Sequence, residues 1–172
     1  HKEYRRQRQM CIRDSWKIYL PVVIASFVLM LPPIFIGEKR GKSKQVFVAA
    51  IALLLLVQIG MWLALSQTQL HAAWLVGLLL AFFVAFNILE ASQPSLVSRI
   101  APPGSKGTAL GVYNTLQALG LFCGGALGGW LTQHVGGASV FVLGSALCVV
   151  WLIIAANMKN LPRRSQAQAA VV

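Results

Sequence analysis

One carboxylate stands inside an otherwise uncharged apolar stretch: Glu90, in the run from Ala72 to Val97. An ionised carboxylate in hydrocarbon is costly unless it pairs, takes up a proton or meets water. Two roles fit such a group. It can bind and release a proton in a coupled transport step. Alternatively, it can act as a structural latch, facing Lys39 or Arg40 and the N-terminus of the next helix, whose dipole favours an anion. Its position near the inner end of the run favours the latch. Asn87 lies three residues before Glu90, and Asn114 and Gln117 repeat that spacing in the following run. Residues so spaced share a helix face. Glu90, Asn114 and Gln117 fall roughly 9 to 14 Å above the inner ends of their runs, which predicts that the four form one polar cluster lining a translocation path. Cys11, Cys123 and Cys148 have neither disulfide-framework nor metal-ligand spacing. No Ser/His/Asp set, metal cluster or phosphate loop appears, so we expect no enzyme, no bound metal and no cofactor. His71 and His134 fall in loops and read as solvated.

The elements that must hold these groups follow from composition. The 172 residues are 57% hydrophobic and 11% charged, which excludes a disordered chain and an ordinary soluble domain. Fifteen Lys+Arg stand against four Asp+Glu, a formal charge of +11. An apolar, basic chain fits a polytopic membrane protein with positive loops and argues against a nucleic-acid partner. Five apolar runs, over 18–36, 46–65, 72–97, 108–133 and 138–157, predict an all-α integral membrane protein with five transmembrane helices. Each run is long enough to cross about 30 Å of hydrocarbon at 1.5 Å per residue. None alternates as a barrel strand does.

The short loops force neighbouring helices to run antiparallel. Lys39, Arg40, Lys42, Lys44, Arg99, Lys106, Lys159, Arg163 and Arg164 then share one side, while the opposite loops SQTQLH and HVGG carry no Lys or Arg. By the positive-inside rule the cationic side is cytoplasmic. This predicts a multi-pass protein of the cell (inner) membrane, with the bilayer as partner and the C-terminus in the cytoplasm. The bundle covers 16–160, and a polar tail covers 161–172. Residues 1–15 break the pattern, because Lys2, Arg5, Arg6, Arg8 and Arg13, with Lys17 just beyond, would lie outside. We read 1–15 as a basic leader foreign to the fold. The competing reading is an outer loop that follows an earlier helix.

Two motifs carry a family resemblance. The loop after the first run reads Gly-Glu-Lys-Arg-Gly-Lys-Ser-Lys. Glu38, Lys39, Gly41 and Lys42 match the acidic, basic, glycine and basic positions of the cytoplasmic loop motif of the major facilitator superfamily, with Arg40 between them and Pro33 where the full motif has glycine. A tight turn needs glycine, and alternating charges can latch onto neighbouring helix ends. The fourth run carries Gly120, Gly124, Gly125, Gly128 and Gly129, which resembles the family's Gly-x-x-x-Gly-Pro-x-x-Gly-Gly motif with Gly125 in the proline position. Gly120, Gly124 and Gly128 form a smooth stripe along which another backbone can approach.

The resemblance implies a partial second six-helix half, with the five spans as helices eight to twelve of twelve. The stretch joining the third and fourth spans is similar to the drug:proton-antiporter-like branch. That implies a proton-coupled secondary transporter moving a small solute, a drug-like or amphipathic compound, by alternating access. The proton gradient would drive it, and the N-terminal half of the same protein would complete it. The alternative is a five-span membrane scaffold or assembly subunit, which has no need of Asn87, Glu90, Asn114 and Gln117 inside its spans.

Overall fold

The computed structural model describes residues 2–65, 72–102 and 104–158, with side chains over 19–65, 73–102 and 104–158. Five helices follow one another: α1 (Lys2–Lys39), α2 (Ser43–Leu65), α3 (Ala72–Ile100), α4 (Lys106–His134) and α5 (Ala138–Asn157). Their centres coincide with the five apolar runs. Several ends run further, and α1 and α3 each continue three residues beyond their runs, consuming most of the expected loops. In lipid or out of it, a backbone that continues its helix satisfies its own N–H and C=O groups, so helices extend until a turn residue stops them. The backbone before Tyr19 continues α1 as helix back to Lys2. The polar tail lies outside the described residues.

Four helices are both long and apolar enough to cross a membrane: Tyr19–Lys39, Ser43–Leu65, Ala73–Ile100 and Ala138–Asn157. The fifth, α4, has 29 residues and ample length, but its glycines and amides dilute its apolar character. Low hydropathy is expected of a helix that meets protein and water more than lipid. Pro21, Pro32 and Pro33 lie inside α1, and Pro94 lies inside α3. Each removes one N–H from the helical ladder.

Contacts between helices give their directions. Tyr19 meets Phe83, Asn87 meets Ser26 and Arg99 meets Glu38, so α1 and α3 run parallel. Lys44 reaches Ala156, Phe47 meets the Trp151 ring edge-on at 5.9 Å, and the Gln58 amide lies over Gly144. Hence α2 and α5 run antiparallel. Pairing of Glu90 with Gln117 and of Gln93 with Tyr113 makes α3 and α4 antiparallel. The ends bearing Lys39, Arg40, Lys42, Lys44, Arg99 and Lys106 therefore gather at one end of the bundle, as the charge pattern requires.

The core lies among α2, α3 and α5, where Phe47, Ala50, Ile51, Ile88, Leu89, Leu96 and Ala155 are buried, with Met30 and Ile34 of α1 packed against them. Between helices in lipid the driving force is close packing and dispersion, since hydrocarbon is as apolar as leucine. Small residues make that possible. A Cβ on Gly60 would come within 2.8 Å of Leu78 Cδ2, and one on Gly37 within 2.6 Å of Val46 Cγ2. At the charged end, the Lys44 ammonium donates to the Ala156 carbonyl at 2.8 Å. That contact supplies a cation to the negative end of the α5 dipole. By contrast, α4 has no buried residue. It leans on α3 through polar contacts, borders α5 along an apolar cleft lined by Leu127, Leu131, Val142 and Leu143, and leaves most of its surface open.

Candidate functional site

The polar residues of α3 and α4 meet along a seam with two rungs. In the upper rung, the Gln117 amide donates to both oxygens of the Glu90 carboxylate, at 2.9 and 3.2 Å. In the lower rung, the Tyr113 hydroxyl donates to Gln93 Oε1 at 2.7 Å. Gln93 follows Glu90 by three residues and Tyr113 precedes Gln117 by four, so the second rung lies one turn nearer the charged end. The same periodicity that selects Glu90 and Gln117 would have selected Gln93 and Tyr113. Tyr113 escapes notice because a tyrosine in an apolar run reads as an interfacial or packing residue.

The expected four-residue cluster does not form. Asn87 turns toward α1, where its amide donates to the Ser26 hydroxyl at 3.0 Å, and Ser26 donates in turn to the Val23 carbonyl. An i+3 step leaves two side chains about 60° apart around the axis, enough to aim Asn87 at one neighbour and Glu90 at another. Ser26 is fully buried, so this bond satisfies a hydroxyl that hydrocarbon would otherwise penalise. Asn114 is exposed and stands away from the seam.

The latch role expected for Glu90 falls to Glu38 instead. Glu90 does not face Lys39 or Arg40, and the start of α4 at Lys106 lies eleven residues, about 16 Å, below Gln117. Arg99 Nη2 donates to Glu38 Oε1 at 2.6 Å, and the Arg99 side chain is only 10% exposed. The acid of the loop motif thus pairs with the end of α3.

Its glycine also has a defined task. Gly41 has φ 67°, the Gly41 N–H donates to the Glu38 carbonyl, and the Lys42 N–H donates to the Gly37 carbonyl at 2.8 Å. These two bonds and the left-handed residue make a Schellman stop that ends α1 and returns the chain into α2. Gly41→Ala is expected to cost about 1 kcal/mol, because a Cβ is strained in that conformation. Thermal unfolding in detergent would register it. An unchanged midpoint would show that the turn relaxes. Lys39, Arg40 and Lys42 are exposed around this turn.

The glycine stripe of α4 packs on nothing in the described residues. A Cβ built on Gly120, Gly124, Gly125, Gly128 or Gly129 would meet no atom within 4 Å. The expected close helix approach is therefore not made among the described residues. A cleft of about 630 Å³ opens at the charged end among α1 to α4 and runs up α3 to the level of the seam. Glu38, Arg99, Lys106, Ser43, Ser92, Ser95 and Ser98 supply its polar walls, and Ala91 and Leu110 reach its upper part. His134 is exposed at the opposite end of α4 and stacks on Trp130 at 5.0 Å. His71 lies outside the described residues. Among the described residues no group of His, Cys, Asp and Glu is placed to hold a metal ion.

Apolar helices of membrane-crossing length, joined by an internal seam of amides and one acid, define a multi-pass membrane protein in contact with the bilayer. The chain belongs to the Major Facilitator Superfamily, whose family model matches residues 15–170. It is 45% identical over 149 residues to the inner membrane transport protein YajR of Escherichia coli (strain K12), a match covering 87% of this chain and 32% of that protein. It is 31% identical over 138 residues to the multidrug resistance protein MdtH of Aeromonas salmonicida, covering 80% of this chain and 31% of that one. A third relative is the probable galactarate/D-glucarate transporter GudP of Bacillus subtilis, 30% identical over 106 residues, covering 56% and 23%. The chain spans about a third of the length of these first two relatives. No solved structure matches it significantly.

Proposed function

We propose that this chain forms helices eight to twelve of a twelve-helix secondary transporter, which moves a small amphipathic or drug-like solute by alternating access and is driven by the proton gradient. Glu90 is the proton-coupling carboxylate. The observation that carries this reading is the Glu90–Gln117 contact. An acid held inside a span by a neutral amide, and not by a cation, can change its protonation state without breaking an ion pair. A primary amide serves both states, donating its N–H to the carboxylate and, after a flip, accepting from the carboxylic acid. A carboxylate locked to Arg or Lys would instead be held ionised.

In this reading the N-terminal half of the protein covers the open face of α4. The Gly120/Gly124/Gly128 stripe receives one of its helices. The Glu38–Arg99 end faces the cytoplasm with the C-terminus, in the inner membrane. A multidrug name on MdtH supports the amphipathic substrate class, and the drug:proton-antiporter-like branch supports proton exchange.

The test is transport by the full-length protein in proteoliposomes across a panel of amphipathic compounds, with and without an imposed pH gradient. Accumulation that follows the gradient and collapses on adding a protonophore is expected. Flux indifferent to the gradient would refute proton coupling, and no flux of any panel compound would refute the substrate class.

A further inference from the structure

The cleft at the charged end has no task in that proposal, yet its walls carry more hydrogen-bond donors than the chain uses. At about 630 Å³ it has the usual size of a small-molecule site. Ser92, Ser95 and Arg99 are spaced i, i+3 and i+7, so they lie along one face of α3. Ser43 and Lys106, the first residues of α2 and α4, line the same space. Hydroxyls in these helices are commonly spent on their own backbone. Ser26, Ser98, Thr115 and Thr132 each donate to a carbonyl three or four residues back. By contrast, the half-buried hydroxyls of Ser43, Ser92 and Ser95 make no hydrogen bond among the described residues. A guanidinium has five N–H donors. Arg99, with its side chain only 10% exposed, gives one of them to Glu38 Oε1 at 2.6 Å and has no second acceptor among the described residues. The exposed Lys106 ammonium has no partner among them either.

Such walls suit a ligand made of acceptors. Arg99 and Lys106 bring two positive charges against the single negative charge of Glu38, which Arg99 already holds. The balance therefore favours an anion. A carboxylate offers two oxygens in one plane. A phosphate group offers its oxygens in a tetrahedron, which suits donors arriving from three helices, and arginine is a strong partner for it. We infer that this cleft is a binding site for a phosphate group. Arg99 and Lys106 supply the charge, and Ser43, Ser92 and Ser95 supply hydroxyl donors. Arg99 keeps its bond to Glu38 and gives a further N–H, so binding leaves the contact between α1 and α3 in place. The positive dipole ends of α2 and α4 lie at the same space and add to the attraction. The group can come from the headgroup of an anionic phospholipid or from soluble phosphate on that side of the membrane. Once bound, it ties α2, α3 and α4 together at the charged end and stabilises the folded bundle by mass action. Glu90 has no part in this site, which stands whether or not that residue couples transport to protons.

The experiment is thermal unfolding of the full-length protein in a neutral detergent at constant ionic strength. The protein is titrated separately with inorganic phosphate, with dilauroyl phosphatidylglycerol, and with dilauroyl glycerol, which has the same acyl chains and no phosphate. A saturable rise in the unfolding midpoint is expected with at least one of the two phosphate probes and not with dilauroyl glycerol. A rise with phosphatidylglycerol alone identifies a lipid headgroup as the source, and a rise with inorganic phosphate identifies a soluble one. Lys106→Gln removes an exposed charge, and Ser92→Ala combined with Ser95→Ala removes two hydroxyls. Both leave the Glu38–Arg99 pair intact, and either one serves if the other fails to fold. Each should raise the half-saturating concentration several-fold. No rise with either phosphate probe, a rise matched by dilauroyl glycerol, or an unchanged half-saturating concentration in the folded variants overturns the site.

Discussion

Glu90→Gln in the full-length protein is expected to uncouple transport from the proton gradient while substrate exchange continues. One pH unit is worth about 1.4 kcal/mol per proton, so each proton exchanged sustains about a tenfold solute gradient. Removing the carboxyl at the proposed coupling site should therefore reduce accumulation per pH unit from about tenfold to about onefold. Glutamine is close in size to glutamate and keeps an acceptor for the Gln117 amide, which at present donates at 2.9 and 3.2 Å. The seam should then stay assembled, and exchange of labelled for unlabelled solute should persist near the parent rate. Accumulation that still follows the gradient in Glu90→Gln would eliminate Glu90 as the coupling group. Loss of exchange together with accumulation would identify a structural role.

The second large effect concerns the pair between Glu38 and Arg99. Arg99 has a side chain only 10% exposed, against 37% for Glu38. Breaking a buried pair by removing one partner costs about 3–5 kcal/mol, because the remaining charge is left uncompensated. Glu38 is more than a third exposed, and solvent screening brings the expected cost of Glu38→Gln down to about 1–2 kcal/mol. Arg99→Glu should be worse, since it sets two acids against each other at hydrogen-bonding distance. The double exchange Glu38→Arg with Arg99→Glu should recover most of the loss.

Both partners belong to this chain, on α1 and α3, which run parallel. The pair therefore braces these helices internally, and its loss should lower the unfolding temperature. Detergent unfolding of the four proteins measures this directly. No recovery in the double exchange would show that the two charges act through other neighbours.

The architecture was legible in the residues because its determinants are local. Twenty apolar residues in a row can satisfy their backbone in lipid only as a helix. Lys39, Arg40, Lys42 and Lys44 in one loop, with none in the next, order the ends. Gly41 stops α1 because only a residue without a Cβ tolerates its φ cheaply. In the structure Glu38 pairs with Arg99 and Gly41 turns the chain.

The partners of the polar residues were not legible in the same way. Spacing identifies which side chains share a face of one helix, but the facing helix decides what each meets. Asn87 and Glu90 are three residues apart, yet one bonds α1 and the other α4. Asn114 and Gln117 share that spacing, and only Gln117 reaches a partner. The acid expected to latch onto the basic loop lies too far up its helix to do so.

The sequence by itself determined the number of helices, their alternation, the end at which their cations gather, and the presence of one acid within the spans. These follow from hydrophobic length, loop length and charge, which act along the chain. Only the tertiary structure decided that Glu90 is held by a neutral amide, that Arg99 and Glu38 form the ion pair, and that Gln93 and Tyr113 pair one turn below the acid. It also decided that the α4 glycine stripe stays uncovered. Those outcomes depend on the rotation of each helix about its own axis, which packing against neighbours sets and residue order alone leaves open.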